Sequence, residues 1–142
     1  MARIKLILPE TFAFETEVAL RISDMNYGGH LGNDAVLSLI HEARVRYLHS
    51  LGYSELDIEG SSIIMSDAHI VYRGEGFYGD TLVIRIAPSR PEGVRFDLFY
   101  QLNNRESGKE IARARTEISF FNYTTRKTVP VPGAFSSKLG FV

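Results

Sequence analysis

The sequence predicts an α+β domain in which a curved antiparallel sheet wraps around one long central helix. Three observations carry that expectation. Apolar residues alternate with polar ones before residue 23, as in a strand with one buried face. They then recur at three- and four-residue spacings over a single stretch, which is the period of a helix. After residue 62 only strand-like segments follow, parted by turn chemistry. An antiparallel sheet with one buried face needs a cover, and one helix is available to supply it. Such a sheet keeps an outer face and edge strands, so pairing with a second copy is expected.

The first strand is expected over Phe12–Ile22, where Phe12, Phe14, Val18, Leu20 and Ile22 can share a face and Thr16 is the polar exception. The segment Ser23–Asp34 (SDMNYGGHLGND) is dense in Gly, Asn and Asp and reads as a loop. Ala35, Val36, Leu39, Ile40, Ala43, Tyr47 and Leu48 then predict a helix over Asn33–Ser50. Asn33 or Asp34 can cap its start, and Gly52 lies just past its end as a stop. Leu37 falls off the apolar stripe, so the helix is expected to be apolar around much of its girth and enclosed by other structure. Strands follow over Ile63–Tyr72, Thr81–Pro88, Val94–Leu102 and Glu110–Asn122. Pro130 and Pro132 end regular structure and leave a tail to Val142.

The chain has 142 residues, the size of one compact domain, and residues 1–142 are read as a single domain. Apolar residues make up 44% and charged residues 23%, an ordinary globular composition with enough apolar material for a core. The net charge of -1 argues against a nucleic-acid surface, which shows a basic excess. With no cysteine there is no disulfide, thiolate zinc site or thiol nucleophile. The opening run MARIKLILPE is stopped by Pro9 and Glu10, too short for a signal segment. No run approaches the roughly 18 apolar residues of a membrane span. The expectation is a soluble cytoplasmic protein without membrane or nucleic-acid partners.

The order and spacing of several short motifs then resemble a known family. A strand, the pattern D-x-(D/N)-x-x-x-H-x-x-N and a helix carrying E-A-R resemble the hotdog-fold thioesterases of the 4-hydroxybenzoyl-CoA thioesterase type. Here the pattern is Asp24, Asn26, His30 and Asn33, followed by Glu42, Ala43 and Arg44. The stretch Tyr72–Ile86 (YRGEGFYGDTLVIRI) is similar to the family's Gly-Asp-x-Leu strand start, and the resemblance runs from Glu15 to Phe121. It implies a hotdog fold and hydrolysis of acyl-CoA or acyl-carrier-protein thioesters without metal or organic cofactor. It also implies sites shared between two subunits, in a homodimer or homotetramer.

Thioester hydrolysis needs a carboxylate, as nucleophile or as base for water, and donors for the developing oxyanion. The run Gly28-Gly29-His30-Leu31-Gly32 before Asn33 suits the donor role, since a helix start offers free N–H groups and a positive dipole end. The same glycines equally suit a tight turn. Tyr27 and these loop residues, with Asn33, are the candidate substrate-binding positions. In the resembled family the catalytic aspartate takes the second acidic position of D-x-D, and here that position is Asn26, which can neither attack nor accept a proton. Two carboxylates could replace it. Asp24 lies on the same loop and could instead cap backbone N–H groups. Glu42 lies on the helix, where other hotdog branches carry their acid, and could instead pair with Arg46 at i+4. Asn26 can still orient water or bond the carbonyl, and His30 can donate to the thioester or pin the loop.

The histidines show no metal-ligand spacing, so no metal site is expected. Tyr27, Tyr47, Tyr53, Tyr72, Phe77 and Tyr78 are candidates for an acyl pocket or interface, with core packing as the alternative. Arg73, Arg85, Arg90, Arg95, Arg113 and Arg115 could hold CoA phosphates or merely form a solvated face. Two other functions fit parts of the pattern. Hotdog enoyl-CoA hydratases carry D-x-N-P-x-H, which Ser23–Asn26 partly resembles, although Asp24 and His30 are six apart and the proline is missing. A non-catalytic acyl-binding module would account for Asn26 at the acid position.

Overall fold

The computed structural model describes residues 5–141; the first four residues of the opening run and the last residue of the tail lie outside it. Strand β1 (Phe14–Ala19) leads through a 3-10 turn (Ile22–Asp24) and the glycine-rich loop to helix α1 (Asn33–Ser50). Strands β2 (Ser62–Tyr72), β3 (Thr81–Pro88), β4 (Arg95–Asn104) and β5 (Glu110–Asn122) follow, then the short β6 (Lys127–Thr128) and helix α2 (Gly133–Lys138).

The strands form one antiparallel six-stranded sheet in the order β1-β3-β4-β5-β2, with β6 on the end of β5. Long β-rich segments joined by short turns pair in sequence as β3, β4 and β5. The two strands that flank α1 are carried to opposite edges of that meander. The sheet curves around α1 as the hotdog arrangement requires, and its inward residues Leu82, Ile84, Leu98, Tyr100, Ala114 and Phe120 are fully buried.

Helix α1 has the predicted bounds, and Gly52 follows it with φ +87, a conformation open to glycine, while its N–H returns to the His49 carbonyl. Val36, Leu39, Ile40, Ala43, Tyr47 and Leu48 form its buried face. The expectation of an enclosed helix is corrected: Leu37 and Val45 are about two-fifths exposed, and His41 and Glu42 share that open side. A helix needs only one stripe buried by a single sheet, and this sheet covers one. Ile22 also departs from the expected strand face. It sits in the 3-10 turn, 69% exposed, because β1 has already ended at Ala19.

The tail is not irregular throughout. Pro132 caps α2, which drives Phe135 to full burial against Phe96, Phe120 and Tyr53, with ring centroids 5.0, 5.2 and 5.8 Å away. Among the described residues no helix is long and apolar enough to cross a membrane.

Candidate active site

The loop between β1 and α1 is a small hairpin. Met25 and Leu31 form an antiparallel bridge, and the Asn26 N–H donates to the His30 carbonyl at 2.9 Å. At the tip, the Gly29 N–H reaches the Asn26 carbonyl at 3.1 Å. The hairpin is tied down on both sides. The Gly32 N–H donates to the Asp24 carbonyl at 2.9 Å, and the Leu31 N–H donates to the Gly76 carbonyl in the β2–β3 loop at 2.7 Å. Leu31 itself is buried and anchors the hairpin in the core, whereas Tyr27 at the tip is fully exposed.

Two of the expected site residues meet above the hairpin. The Asn26 Oδ1 accepts the Gly28 N–H at 2.8 Å, and among the described residues no hydrogen bond uses its amide NH₂. The His30 Nδ1 lies 3.2 Å from the Leu31 carbonyl oxygen. A Cβ added at Gly28 would stand 3.2 Å from the Asn26 Oδ1 and 3.5 Å from the His30 Nε2. The bare face of Gly28 is therefore the floor of a small space between the two side chains.

The backbone donors differ from those the glycine run suggests. The N–H groups of Gly28, Gly29, Leu31 and Gly32 all serve the fold. The N-cap of α1 is Gly32, with no side-chain cap, so neither Asn33 nor Asp34 takes the expected capping role. Among the described residues no hydrogen bond uses the N–H of Asn33 or Asp34. These two groups lie at the positive end of an 18-residue helix, where an anion would be favoured.

The carboxylates are placed elsewhere. Asp24 is 4% exposed, with its Oδ2 accepting the Arg21 N–H at 2.8 Å and its Oδ1 3.3 Å from the Arg21 guanidinium. It closes the 3-10 turn. Glu42 lies roughly 14 Å along α1 from Asn33, at about 1.5 Å per residue, so a single chain does not bring it to Asn26 and His30. Its Oε2 accepts from the Arg46 Nε at 2.9 Å, and Arg46 is itself held at 2.8 Å by Thr16 Oγ1 and by the Glu17 carbonyl. Glu42 borders a separate groove of about 470 Å³ with Glu17, Arg21, Ser38 and Arg46.

Sequence reasoning passed over two features near the site. One is a buried polar chain behind α1. The Arg44 side chain is almost fully buried; its Nε donates to Glu55 at 2.9 Å and its Nη1 to the Tyr100 hydroxyl at 3.2 Å. Tyr100 in turn meets the Thr116 hydroxyl at 2.8 Å, and His41 meets Glu55 at 2.7 Å. Burial works against the Arg44 charge, but Tyr100 and Glu55 beside it outweigh that and raise its pKa. The E-A-R triplet marks this position, since an arginine four residues after buried Ile40 and three before buried Tyr47 sits on the buried stripe. The other feature is Gly76. A Cβ there would lie 2.9 Å from Leu20 Cδ1 and 3.3 Å from Leu31 Cβ, so a glycine is what lets the β2–β3 loop reach the hairpin.

The aromatic candidates divide. Tyr47 is core, its hydroxyl pushed up to about 12 by burial, and Tyr53 packs at the margin of the core. Tyr27, Tyr72, Phe77 and Tyr78 are exposed, on the hairpin or on segments bonded to it; the Tyr72 hydroxyl donates to the Asn33 carbonyl at 3.1 Å. The arginines proposed for phosphates are largely paired with acids: Arg73 and Arg113 with Glu110, Arg85 with Glu15, Arg95 with Glu117, and Arg115 with Asp67 and Asp97. Arg90 lies over the Phe141 ring.

Residues 20–139 match the family of the thioesterase-like superfamily. The chain belongs to that superfamily. Solved structures of its fold superpose over most of the chain. A 1,4-dihydroxy-2-naphthoyl-CoA thioesterase from Synechocystis has a TM-score of 0.82 at 23% identity, over 89% of this chain and 95% of that one. A thioesterase superfamily protein from Jannaschia sp. has a TM-score of 0.80 at 16% identity, over 94% and 87%. A gentisyl-coenzyme A thioesterase has a TM-score of 0.78 at 17% identity, over 89% and 99%. At these identities the likeness establishes the hotdog fold. No curated protein matches the chain in sequence.

Proposed function

We propose that this protein hydrolyses acyl-CoA or acyl-carrier-protein thioesters to free acid and thiol at the hairpin and helix start, residues 26–34. The observation that carries the reading is the open pair of N–H groups at Asn33 and Asp34, beside the space between Asn26 and His30. A thioester carbonyl placed there would have its developing oxyanion met by fixed donors, the largest single aid to acyl transfer. The thiolate is a good leaving group and needs no strong acid. Tyr27, Gly28, Gly29, Leu31, Gly32 and Asn33 form the binding wall in this reading, with Leu31 acting through its backbone.

We further infer that two copies complete each site. Strand β2 ends the sheet, so beyond Ile63, whose N–H donates to the Glu55 carbonyl, no further strand pairs with its far edge among the described residues, and Ile64 and Met65 are about two-fifths exposed on it. With the open side of α1, this is where a second copy fits. A homodimer, or a homotetramer of two such pairs, would follow. Carboxylate assistance has the least geometric support, because Asp24 and Glu42 each already hold a structural partner.

Aromatic acyl groups belong among the substrates tried, since two structural relatives are named for aromatic acyl-CoA substrates and exposed aromatics flank this site. A panel of short, medium, long and aromatic acyl-CoA thioesters with thiol detection tests the reading, and no turnover above background on any of them defeats it. The position of Asn26 favours one other reading, an acyl-CoA binder without turnover, which the same panel separates by binding without thiol release.

A further inference from the structure

Thioester hydrolysis at this hairpin needs a group that takes a proton from water, and we propose that His30, through its Nε2, is that general base. The inference rests on the thioesterase reading above and names the residue that performs its central step.

Asn26 has no protonatable lone pair at neutral pH. Asp24 is buried, with both oxygens turned to Arg21. Within its own protomer Glu42 faces a different groove and is tied through Arg46 to β1. His30 combines a proton-accepting atom with a place over Gly28. Its Nδ1 lies 3.2 Å from the Leu31 carbonyl oxygen, which can only accept. The neutral ring therefore carries its proton on Nδ1, and its lone pair sits on Nε2. That nitrogen points over Gly28, 3.5 Å from where a Cβ would be, opposite the Asn26 side chain. The Leu31 carbonyl does for this ring what an orienting partner does in other acid–base pairs: it sets the tautomer and holds the ring. Leu31 is in turn fixed by its burial and by the Gly76 carbonyl.

The step balances without a co-reactant. Water over Gly28 is oriented by Asn26 and gives a proton to Nε2 as its oxygen bonds to the thioester carbon. The carbonyl oxygen takes the negative charge at the Asn33 and Asp34 N–H groups. The intermediate collapses, the C–S bond breaks, and the departing thiolate takes the proton from Nε2. The products are the free acid and the thiol, and the imidazole returns neutral.

The test uses the full chain on whichever acyl-CoA the panel identifies. The His30→Ala variant should lose at least about 100-fold in kcat, the low end of what a positioned base contributes. Added imidazole should restore part of that rate, which a merely structural histidine would not allow. Gly28→Ala is the second variant. Its φ lies outside the left-handed region and its one tight contact, 3.2 Å, is with the end of the Asn26 side chain, which can shift, so it should melt within a few degrees of wild type while filling the space over residue 28 and losing activity. A His30→Ala rate within about threefold of wild type overturns the assignment and leaves the thioesterase reading standing. So does a loss that imidazole cannot rescue alongside full activity in Gly28→Ala. Absence of any wild-type turnover overturns both.

Discussion

Replacing Gly76 with alanine tests the link between the β2–β3 loop and the hairpin. The added methyl would stand 2.9 Å from Leu20 Cδ1, 3.3 Å from Leu31 Cβ and 3.5 Å from Leu31 Cδ2. Leu20 is 2% and Leu31 6% exposed, so neither can swing into solvent, and the methyl must push two packed residues. Overpacking of this kind costs about 1–3 kcal/mol. For a domain of this size that corresponds to a fall in melting temperature of about 3–10 °C. The displacement also falls on the 2.7 Å bond from the Leu31 N–H to the Gly76 carbonyl, and Leu31 is the residue that holds His30. Activity should therefore drop about tenfold in kcat/KM, the equivalent of roughly 1.4 kcal/mol. Thermal melting by circular dichroism and the thioester assay measure the two effects. Gly133→Ala is the control, because a Cβ there meets nothing within 4 Å. A Gly76→Ala protein that melts with the wild type would refute the packing argument; one that melts early yet keeps full kcat/KM would refute the coupling.

Three further outcomes follow from the core. Tyr100→Phe strands the Arg44 Nη1 and the Thr116 hydroxyl in the interior and should destabilise by about 1–3 kcal/mol in urea titration, more than a surface change would. Burial alone would raise the Glu55 carboxyl, but hydrogen bonds from His41 and Arg44 outweigh it and hold its pKa below the ordinary glutamate value. The unfolded chain thus binds more protons in that window, so this stability is present above about pH 4.3 and is lost as pH falls through the folded value; Glu55→Gln should flatten the melting curve's acid limb there. Phe135→Ala opens a cavity among Phe96, Phe120 and Tyr53 and should destabilise by about 3–5 kcal/mol, and an unchanged urea midpoint would show that α2 does not close the core.

Much of the fold is legible in the chain because its segments obey local rules strictly. Period-two alternation and β-branched residues set out β3 and β5 with the bounds observed, and the 3.6 spacing did the same for α1. The segments misjudged are those where a neighbour overrides the pattern. Ile22 fits the alternation of β1, but Asp24 takes the Arg21 N–H and turns the chain first. Gly133–Lys138 is too short to show a helical period, so only the partners of Phe135 make it a helix.

The site divides in the same way. By itself the sequence determined the hairpin's makeup, the length of the helix behind it and the absence of an acid at position 26, since each is a matter of residue type and local spacing. Only the tertiary structure decided which donors remain open, that Asp24 and Glu42 are held by Arg21 and Arg46, and that His30 and Asn26 meet over Gly28. The physical reason is that a polar group's chemistry depends on which of its lone pairs and protons are already engaged. Some of those engagements come from within a turn, as Arg21 holds Asp24, and others from residues such as Gly76 and Thr16, which lie tens of positions away along the chain.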